Sequence, residues 1–402
     1  MPHDRRSFLR WLAASPVVST LALPELLRAA QEAEWQPAGP QEAHLIGSPQ
    51  EALDVFEFRE AARAKLPPAH FGYIQTGVEG GVTFGRNHAA YGDIQLRVKR
   101  LVDVSEVDTS IELFGRRWDS PIIIAPCGSQ RAFHPEGELA TARAAREQGH
   151  LQVLSTVTTT SVEDVTEARG EPVWYQLYPT PMWSITEHLI ERAEGAGSPA
   201  LVLTVDSPAG SDRDPGERWA RQDSRDCVRC HAVPYERKPM FDGIDMRDLD
   251  IFNPAMDWAY VQRLRDATDM KIVLKAIVRA DDADRAVDAG VDAIVVSNHG
   301  GRSEESGRAT IESLPHVVDA VRGRIPVIVD GGIRRGNDIL KALAVGADAV
   351  QIGRPYLWGL ASFGQPGVER VLEMLRGELA LAMQFAGAPT IADLDRDLLV
   401  GG

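Results

Sequence analysis

The sequence predicts an α/β fold in which eight parallel strands close into a (β/α)8 barrel, the TIM-barrel architecture. Eight short apolar runs recur from residue 122 onward, and amphipathic, alanine-rich stretches separate most of them. Continuously apolar strands that alternate with helices are typical of a parallel sheet covered by helices. Eight such units favour a closed barrel over a doubly wound sheet.

The eight predicted strands are rich in β-branched and other apolar residues. They cover residues 122–125, 152–154, 173–177, 201–205, 272–274, 293–296, 326–329 and 349–352. Helical patterns between them include residues 137–148, 183–194, 281–289 and 337–345, commonly followed by glycine as at helix C-termini. The gap after strand 4 is much longer than the others, so we predict an insertion over residues 207–270, on the face where barrels carry their active sites.

The segment that precedes the barrel has a helical pattern. Residues 51–65 carry apolar side chains at helical spacing, and Pro67 and Pro68 should stop that helix. The next stretch, residues 71–81, is interpreted as a flexible, glycine-rich connection with an aromatic patch. The sequence thus predicts an N-terminal helical segment before the barrel.

Residues 1–47 are predicted to be an export signal and linker, outside the folded domain at residues 48–402. Arg5 and Arg6 precede a mildly apolar stretch, residues 11–23, which is too short and too weakly apolar to span a bilayer. The pattern resembles a twin-arginine signal and predicts a periplasmic protein. A cytoplasmic protein with an amphipathic or disordered tail is the alternative.

The composition excludes a nucleic-acid-binding function. The 402 residues carry a net charge of −15, with a sequence pI near 5.2, and no stretch concentrates Lys and Arg. Binding to a phosphate backbone needs such a concentration. With 44% hydrophobic and 25% charged residues, the chain is typical of a globular protein.

Polar, charged or glycine residues follow each of the eight apolar runs. In chain order they are Pro126, Cys127 and Gly128; Ser155; Gln176 and Tyr178; Thr204 and Asp206; Lys275; Ser297 to Arg302; Asp330, Gly331, Gly332 and Arg334; and Gly353 and Arg354. One such residue alone would be explained as a satisfied buried group. Eight of eight indicate one shared site, because the carboxyl ends of barrel strands meet on one face. The last two groups are typical of a phosphate site, with glycine N–H groups and two arginines before helix starts.

These motifs resemble the FMN-dependent L-2-hydroxy acid oxidase and dehydrogenase family, which includes glycolate and lactate oxidases, mandelate dehydrogenase and the lactate-oxidising flavocytochromes. The resemblance covers about residues 53–399. Its most specific marks are Ser297-Asn298-His299-Gly300-Gly301-Arg302, the runs at 329–336 and 352–355, His134-Pro135-Glu136-Gly137-Glu138 and Leu203-Thr204-Val205-Asp206. It implies FMN as cofactor, oxidation of an L-2-hydroxy acid to the 2-oxo acid, a homo-oligomer, and oxygen, a quinone or a cytochrome as electron acceptor.

The resemblance implies a catalytic set of His299, Asp206, Tyr178 and Lys275. An imidazole with an ordinary pKa of ~6.5 can accept the substrate's hydroxyl proton near neutral pH. Asp206 would orient the ring and stabilise the imidazolium. Tyr178 would contact the substrate hydroxyl, and Lys275 would lie beside the flavin ring, where a cation stabilises the anionic reduced cofactor.

The same resemblance implies residues that bind the substrate carboxylate and the cofactor. Arg302, Arg213 and Tyr73 match the carboxylate-binding residues, and a planar guanidinium suits a two-oxygen target. The cofactor-binding set is Pro126, Cys127, Gly128, Ser155, Gln176, Thr204, Lys275, Ser297, Asp330, Gly331, Gly332, Arg334, Gly353 and Arg354. Arg213 lies in the long insertion, where a solvated arginine is the alternative.

The chain departs from the family pattern at two places. Val157 stands where many relatives carry an aromatic residue, and Ser303-Glu304-Glu305 replaces Gln-Leu-Asp. Because Gly128 is also small, we expect a roomier pocket that takes a longer or aromatic 2-hydroxy acid.

The insertion also contains Cys227-Val228-Arg229-Cys230-His231. This spacing is that of covalent c-type haem attachment, with two thiols and an axial histidine. A disulfide, a partial metal site and two plain thiols are the alternatives.

Two other functional classes are compatible with parts of the pattern. One is a different FMN or phosphate-ligand barrel, such as an isopentenyl diphosphate isomerase or an inosinate-dehydrogenase relative. The other is a non-catalytic electron-transfer protein that uses flavin or haem. His299, Arg302 and Asp206 together argue against the second class.

Overall fold

The computed structural model describes residues 45–224, 237–245 and 251–401. The predicted export signal and Cys227, Cys230 and His231 lie outside the described residues. The boundary placed between residues 47 and 48 therefore stays a prediction.

Eight parallel strands close into a barrel, which confirms the predicted fold class. The described residues form ten strands, of which the first two make a separate hairpin and the other eight make the barrel: β1 (Ile111–Leu113), β2 (Arg116–Trp118), β3 (Ile122–Ile124), β4 (Leu151–Ser155), β5 (Trp174–Leu177), β6 (Ala200–Thr204), β7 (Lys271–Lys275), β8 (Ala293–Val296), β9 (Val327–Asp330) and β10 (Ala349–Ile352). Strands β3 to β10 neighbour each other in chain order, and β10 pairs with β3 to close the barrel. The carboxyl ends of all eight strands therefore share one face.

Helices precede the barrel, follow most of its strands and end the chain. They are α1 (Val55–Lys65), α2 (Pro68–Gln75), α3 (Val82–Asp93), α4 (Gly137–Glu147), α5 (Val162–Arg169), α6 (Trp183–Gly195), α7 (Asp214–Ala220), α8 (Trp258–Asp266), α9 (Ala280–Asp288), α10 (Thr310–Val321), α11 (Gly336–Val345), α12 (Arg354–Phe363) and α13 (Gln365–Ala386). Among the described residues, none of these helices is long and apolar enough to cross a bilayer.

Residues of the barrel strands alternate between two apolar layers. In β7, Val273 belongs to a cluster inside the barrel, whereas Ile272 and Leu274 belong to the layer under the helices. This two-residue period explains the continuous apolar runs, because both faces of each strand are buried. The antiparallel hairpin β1–β2 adds Leu113 and Trp118 to the inner cluster. This hairpin was not predicted.

The prediction for the N-terminal segment was wrong in two details. Helix α1 begins at Val55, not at residue 51, because the Asp54 side chain accepts hydrogen bonds from the backbone N–H groups of Phe56 and Glu57. Residues 71–75, interpreted as flexible, belong to helix α2, which Pro68 starts. Gly72 lies inside α2, at a position where a Cβ would overlap Trp219 of α7. The glycine thus serves close helix packing.

The long gap between β6 and β7 is an insertion, as predicted. Its described part contains α7, a short 3-10 turn at Pro239–Phe241 and α8. Met240 and Phe241 are fully buried, so the turn at Pro239–Phe241 packs against the rest of the domain.

Candidate active site

The carboxyl ends of the barrel strands open into one cleft with about 870 Å³ of space, the solvent-exposed part included. Fourteen of the twenty predicted site residues line it: Tyr73, Pro126, Cys127, Gly128, Tyr178, Lys275, His299, Arg302, Asp330, Gly331, Gly332, Arg334, Gly353 and Arg354. The other six predicted residues lie behind or beside the cleft wall.

His299 lies directly after β8, between an acid and a phenol. Its Nδ1 is 3.1 Å from Oδ1 of Asp206, and its Nε2 is 3.2 Å from the Tyr178 hydroxyl. The Ser297 hydroxyl accepts a hydrogen bond from the His299 backbone N–H at 3.1 Å, and the residue adopts a left-handed φ of 57°. A carboxylate accepts from Nδ1–H, which leaves the Nε2 lone pair facing Tyr178 and the cleft.

Burial and charge keep the His299 imidazole neutral. Burial lowers its pKa, and the positive charges of Lys275 and Arg213 act in the same direction against the opposing effect of Asp206. Burial alone would raise the pKa of Asp206, but its interactions with His299 and with the charge of Lys275 outweigh burial and lower it. A neutral imidazole fixed by an ionised carboxylate is the arrangement that a general base needs.

A second chain of hydrogen bonds joins the ends of three neighbouring strands, β7, β8 and β9. The Lys275 ammonium donates to the Ser297 hydroxyl at 3.0 Å, and that hydroxyl donates to Oδ2 of Asp330 at 2.8 Å. Oδ1 of Asp330 is buried and has no hydrogen-bond partner among the described residues. Ala276, which follows Lys275, has a φ of 90°, a strained value for a residue with a side chain.

Two arginines bind the carboxyl end of helix α2. Nη1 of Arg302 donates to the carbonyl oxygens of Tyr73 and Thr76, and Arg354 donates to those of Ile74 and Thr76 at 2.7 and 2.9 Å. These carbonyls have no partner within the helix, and the helix dipole favours cations at this end. Nη2 of Arg302 remains buried without a hydrogen-bond partner among the described residues. It is a donor placed for an anionic ligand.

Arg213 lies at the start of α7, close enough for its charge to act on Arg302. It caps the start of α7, and its Nε donates to the Ser211 hydroxyl at 3.0 Å. After burial, its charge is the largest influence that lowers the pKa of Arg302. The residue does not line the cleft, so its contact with substrate stays a prediction.

Ser155, Gln176 and Thr204 are bonded to one another instead of facing the cleft. Ser155 Oγ donates to Oε1 of Gln176 at 3.1 Å, and Nε2 of Gln176 donates to Thr204 Oγ1 at 2.9 Å. All three are buried, at 1–2% exposure. They tie the ends of β4, β5 and β6 together, and their contact with a cofactor stays a prediction.

The glycine turn after β9 has a packing role that the sequence did not show. Gly331 and Gly332 have φ values of 96° and 81°, and a Cβ on Gly332 would overlap the backbone carbonyl of Asn87. Arg334, beyond the turn, is buried beside Trp358, and burial lowers its pKa to about 10. The turn is therefore shaped by helix α3 as well as by any phosphate.

Asn87 of α3 was missed by sequence reasoning. Its side chain and that of Asn298 exchange two amide hydrogen bonds, of 2.8 and 3.0 Å. Asn298 Oδ1 also accepts from the backbone N–H of Gly301, and Asn87 Oδ1 accepts from that of Thr310. A single polar residue in a helix gives no sequence signal, because it is expected on the solvent face. Asn87 is in fact 2% exposed.

The segment Ser303-Glu304-Glu305, which differs from the family pattern, caps the start of helix α3. The Glu305 carboxylate accepts hydrogen bonds from the backbone N–H groups of Val82 and Thr83, in the first turn of α3. A carboxylate at this position stabilises a helix N-terminus. The residue does not line the cleft.

Residues 62–401 match the family model described as FMN-dependent dehydrogenase. The chain belongs to this family. The assignment selects the flavin-dependent oxidoreductases over the other barrels and the electron-transfer proteins considered above. FMN is the cofactor that this family implies.

Several relatives of this chain are named as oxidases. The chain is 41% identical to a peroxisomal (S)-2-hydroxy-acid oxidase of Oryza sativa subsp. japonica, over 86% of this chain and 94% of the relative. It is 40% identical to an L-lactate oxidase of Nostoc sp., over 88% and 99% of the two chains. A crystal structure of mandelate oxidase with (S)-2-phenylpropionate aligns with a TM-score of 0.76 at 39% identity, over 85% of this chain and 96% of that one.

The cleft residues fit FMN. The unpartnered Asp330 Oδ1 can accept a hydrogen bond from a ribityl hydroxyl, and the buried guanidinium groups of Arg334 and Arg354 offer charge for a phosphate. At Gly353 a Cβ would have only Cys127 Sγ nearby, at 3.4 Å, so the backbone there is open toward the cleft. Lys275 lies in the same wall, where a cation can stabilise a reduced flavin. Among the described residues, no group of three or more His, Cys, Asp or Glu side chains is placed to hold a metal ion.

Proposed function

We propose that this protein oxidises an L-2-hydroxy acid to the corresponding 2-oxo acid, with FMN as the bound cofactor. The observation that carries the proposal is the Asp206–His299–Tyr178 chain of contacts in the same cleft as the unpartnered donor of Arg302. A base and a carboxylate-binding cation in one cleft are the two groups that a hydroxy acid requires. The oxidase relatives support the same reaction.

Each residue of the site has a part in this reaction. Nη2 of Arg302 binds the substrate carboxylate, with Arg213 and Tyr73 supplying further contacts. Nε2 of His299 takes the hydroxyl proton, and Asp206 stabilises the imidazolium that forms. The Tyr178 hydroxyl, whose pKa burial raises, stays protonated and orients the substrate oxygen. When bound, FMN accepts the two electrons and the hydrogen released from the α-carbon.

The test is anaerobic reduction of the flavin. L-lactate and L-mandelate are each added to the purified yellow protein without oxygen, and the flavin absorbance is followed. We expect bleaching with at least one L-acid and none with its D-enantiomer. If none of glycolate, L-lactate and L-mandelate bleaches the flavin, the proposed function is wrong.

The substrate is proposed to be a longer or aromatic 2-hydroxy acid. Val157 and Gly128 both line the cleft, and a Cβ on Gly128 would overlap the Val157 side chain. Val157 fills the space beside Gly128, but it is smaller than an aromatic residue and so leaves room for a substrate side chain; a mandelate oxidase is among the similar structures. Steady-state kinetics with glycolate, lactate and mandelate test this, and a clear preference for glycolate would refute it.

Oxygen is the proposed electron acceptor, because the named relatives are oxidases. A quinone or a cytochrome is the competing proposal. Oxygen uptake measured in parallel with reduction of an artificial dye distinguishes them. Uptake that equals substrate consumption supports oxygen, whereas dye reduction without uptake supports another acceptor.

Export, assembly and haem are separate proposals. We propose that residues 1–47 direct export to the periplasm, which cell fractionation tests, and that the chain forms a homo-oligomer, which light scattering tests. FMN is the cofactor that the family supports. Haem attachment at Cys227, Cys230 and His231 stays a sequence prediction, and a Soret band after periplasmic expression decides it.

A further inference from the structure

A lysine from the long insertion is buried beside the cleft. Lys238 immediately precedes the 3-10 turn at Pro239–Phe241 and is only 2% exposed. Its ammonium donates to the Ser129 hydroxyl at 2.6 Å and to the Val157 carbonyl oxygen at 3.2 Å. A lysine is almost never fully buried unless its ammonium is paired or hydrogen-bonded, because a charge loses its hydration when it leaves water.

The two acceptors of Lys238 belong to different loops at the barrel mouth. Ser129 follows β3 and adopts a left-handed φ of 58°, and its backbone N–H donates to the same Val157 carbonyl at 3.1 Å. Val157 follows β4. Next to these contacts, Gly128 and the Val157 side chain line the cleft. The ammonium therefore fixes the backbone directly behind the wall that faces a substrate side chain.

A buried carboxylate joins the same two loops from the other side. Glu138, fully buried, accepts hydrogen bonds from the backbone N–H groups of Gln130 and Thr159, at 3.1 and 2.9 Å. Burial lowers the pKa of Lys238, and the negative charge of Glu138 opposes that change. Lys238 and Glu138 thus each bond to both the β3–α4 loop and the β4–α5 loop.

We propose that Lys238 is a positioning residue for substrate selection: it anchors the insertion to Ser129 and Val157 and so sets the wall that contacts the substrate's side chain. This proposal rests on the proposed oxidation of L-2-hydroxy acids. Glycolate has no side chain and does not reach this wall. Mandelate carries a phenyl ring and does. Lys238 consequently acts on the selectivity between the two and not on the chemistry they share.

The experiment compares the full-length, FMN-loaded protein with Lys238→Met and Lys238→Gln. The rate of anaerobic flavin reduction is measured against concentration for L-mandelate and for glycolate. We expect Lys238→Met to lower the mandelate-to-glycolate ratio of kcat/KM by about tenfold, the size of effect of one lost apolar contact in a pocket. Lys238→Gln keeps one donor, so its ratio should fall less, and it serves if the methionine variant fails to fold.

Two further variants complete the design. Lys271→Met removes a half-exposed lysine that pairs with Asp292 at the amino end of β7, and its ratio should equal that of the wild type. Val157→Ala should lower the ratio as Lys238→Met does, and the double variant should be non-additive, because both changes act on one wall.

The outcomes separate the two proposals. A wild-type protein that no hydroxy acid reduces overturns the proposed function. A working wild type in which the Lys238 variants lose both substrates equally, or keep the wild-type ratio within about twofold, overturns the role of Lys238 in selection.

Discussion

The loop after β8 and the elements that cover the barrel mouth differ in how they hold the site. Ser297, His299 and Arg302 lie within six residues of one another and follow a single buried strand. The cover comes from distant parts of the chain: α2 accepts hydrogen bonds from Arg302 and Arg354, Asn87 of α3 pairs with Asn298, and Lys238 joins two further loops. The reactive groups therefore lie close together in the chain, whereas their positions depend on contacts with residues far away in the sequence.

The largest effect should come from the loop itself. His299→Gln removes the base but keeps a polar side chain of similar reach, so flavin reduction should slow by about a thousandfold, within the range of general base catalysis. FMN binding should be retained, because His299 is not among the phosphate-binding residues. Stopped-flow reduction and flavin content measure the two. A variant that reduces its flavin at a tenth of the wild-type rate or faster would show that another group is the base.

Arg302→Lys tests the proposed carboxylate site, at the point where the loop after β8 contacts helix α2. A lysine keeps the charge but loses the planar pair of donors, one of which now binds α2. We expect KM to rise by about thirtyfold, with a smaller change in kcat, since an exchange at a bidentate site is not conservative. Steady-state kinetics with L-mandelate measures both constants. An unchanged KM would mean that Nη2 of Arg302 does not contact the carboxylate.

Asn87→Ala removes the contact between helix α3 and Asn298 and leaves the proposed catalytic residues unchanged. The change removes both hydrogen bonds between the two buried amides and the acceptor of the Thr310 backbone N–H, so the free energy of unfolding should fall by about 1–3 kcal/mol. Because Asn298 also holds Gly301, kcat should fall several-fold while KM changes little. Urea denaturation and steady-state kinetics provide the measurements. Asn337→Ala, at an exposed position of α11, is the matched control and should leave both unchanged.

The smallest effect is expected in the pH profile. Burial lowers the pKa of His299 from its ordinary value of 6.5. The base works only when neutral, so kcat/KM should fall on the acid side, and the midpoint of that fall should lie below pH 6.5. Asp206→Asn removes the carboxylate that opposes the shift, which should move the midpoint further down as activity drops. A midpoint above 6.5 would contradict a desolvated, neutral base.

Much of the fold was predictable because its signals are local. All eight barrel strands fall within a residue or two of the apolar runs, since burial on both faces leaves a continuous mark in the sequence. The start of α1 and the whole of α2 were missed. The Asp54 side chain caps the start of α1, and Gly72 allows α2 to pack closely against Trp219. Neither effect is visible in the spacing of apolar residues.

The candidate site divides in the same way. Strand-end position brought thirteen predicted residues to the cleft, because parallel strands in a barrel deliver their carboxyl ends to one face, and Tyr73 reaches it from helix α2. Ser155, Gln176 and Thr204 were at the correct strand ends, but their side chains bond to one another. Asn87 and Lys238 were missed, since a polar residue on a helix or in a long loop is expected in solvent, and Glu138 was noted only as part of a family motif with no role assigned.

The sequence by itself determined the barrel, the order of its strands and the chemical groups at their ends, because each depends on residues close together in the chain. Only the tertiary structure decided which of those groups face the cleft and which distant side chains hold them. Asn87 lies 211 residues from Asn298, and Lys238 lies 109 residues from Ser129. Hydrogen bonds between such partners form only after the chain has closed, so no local pattern records them.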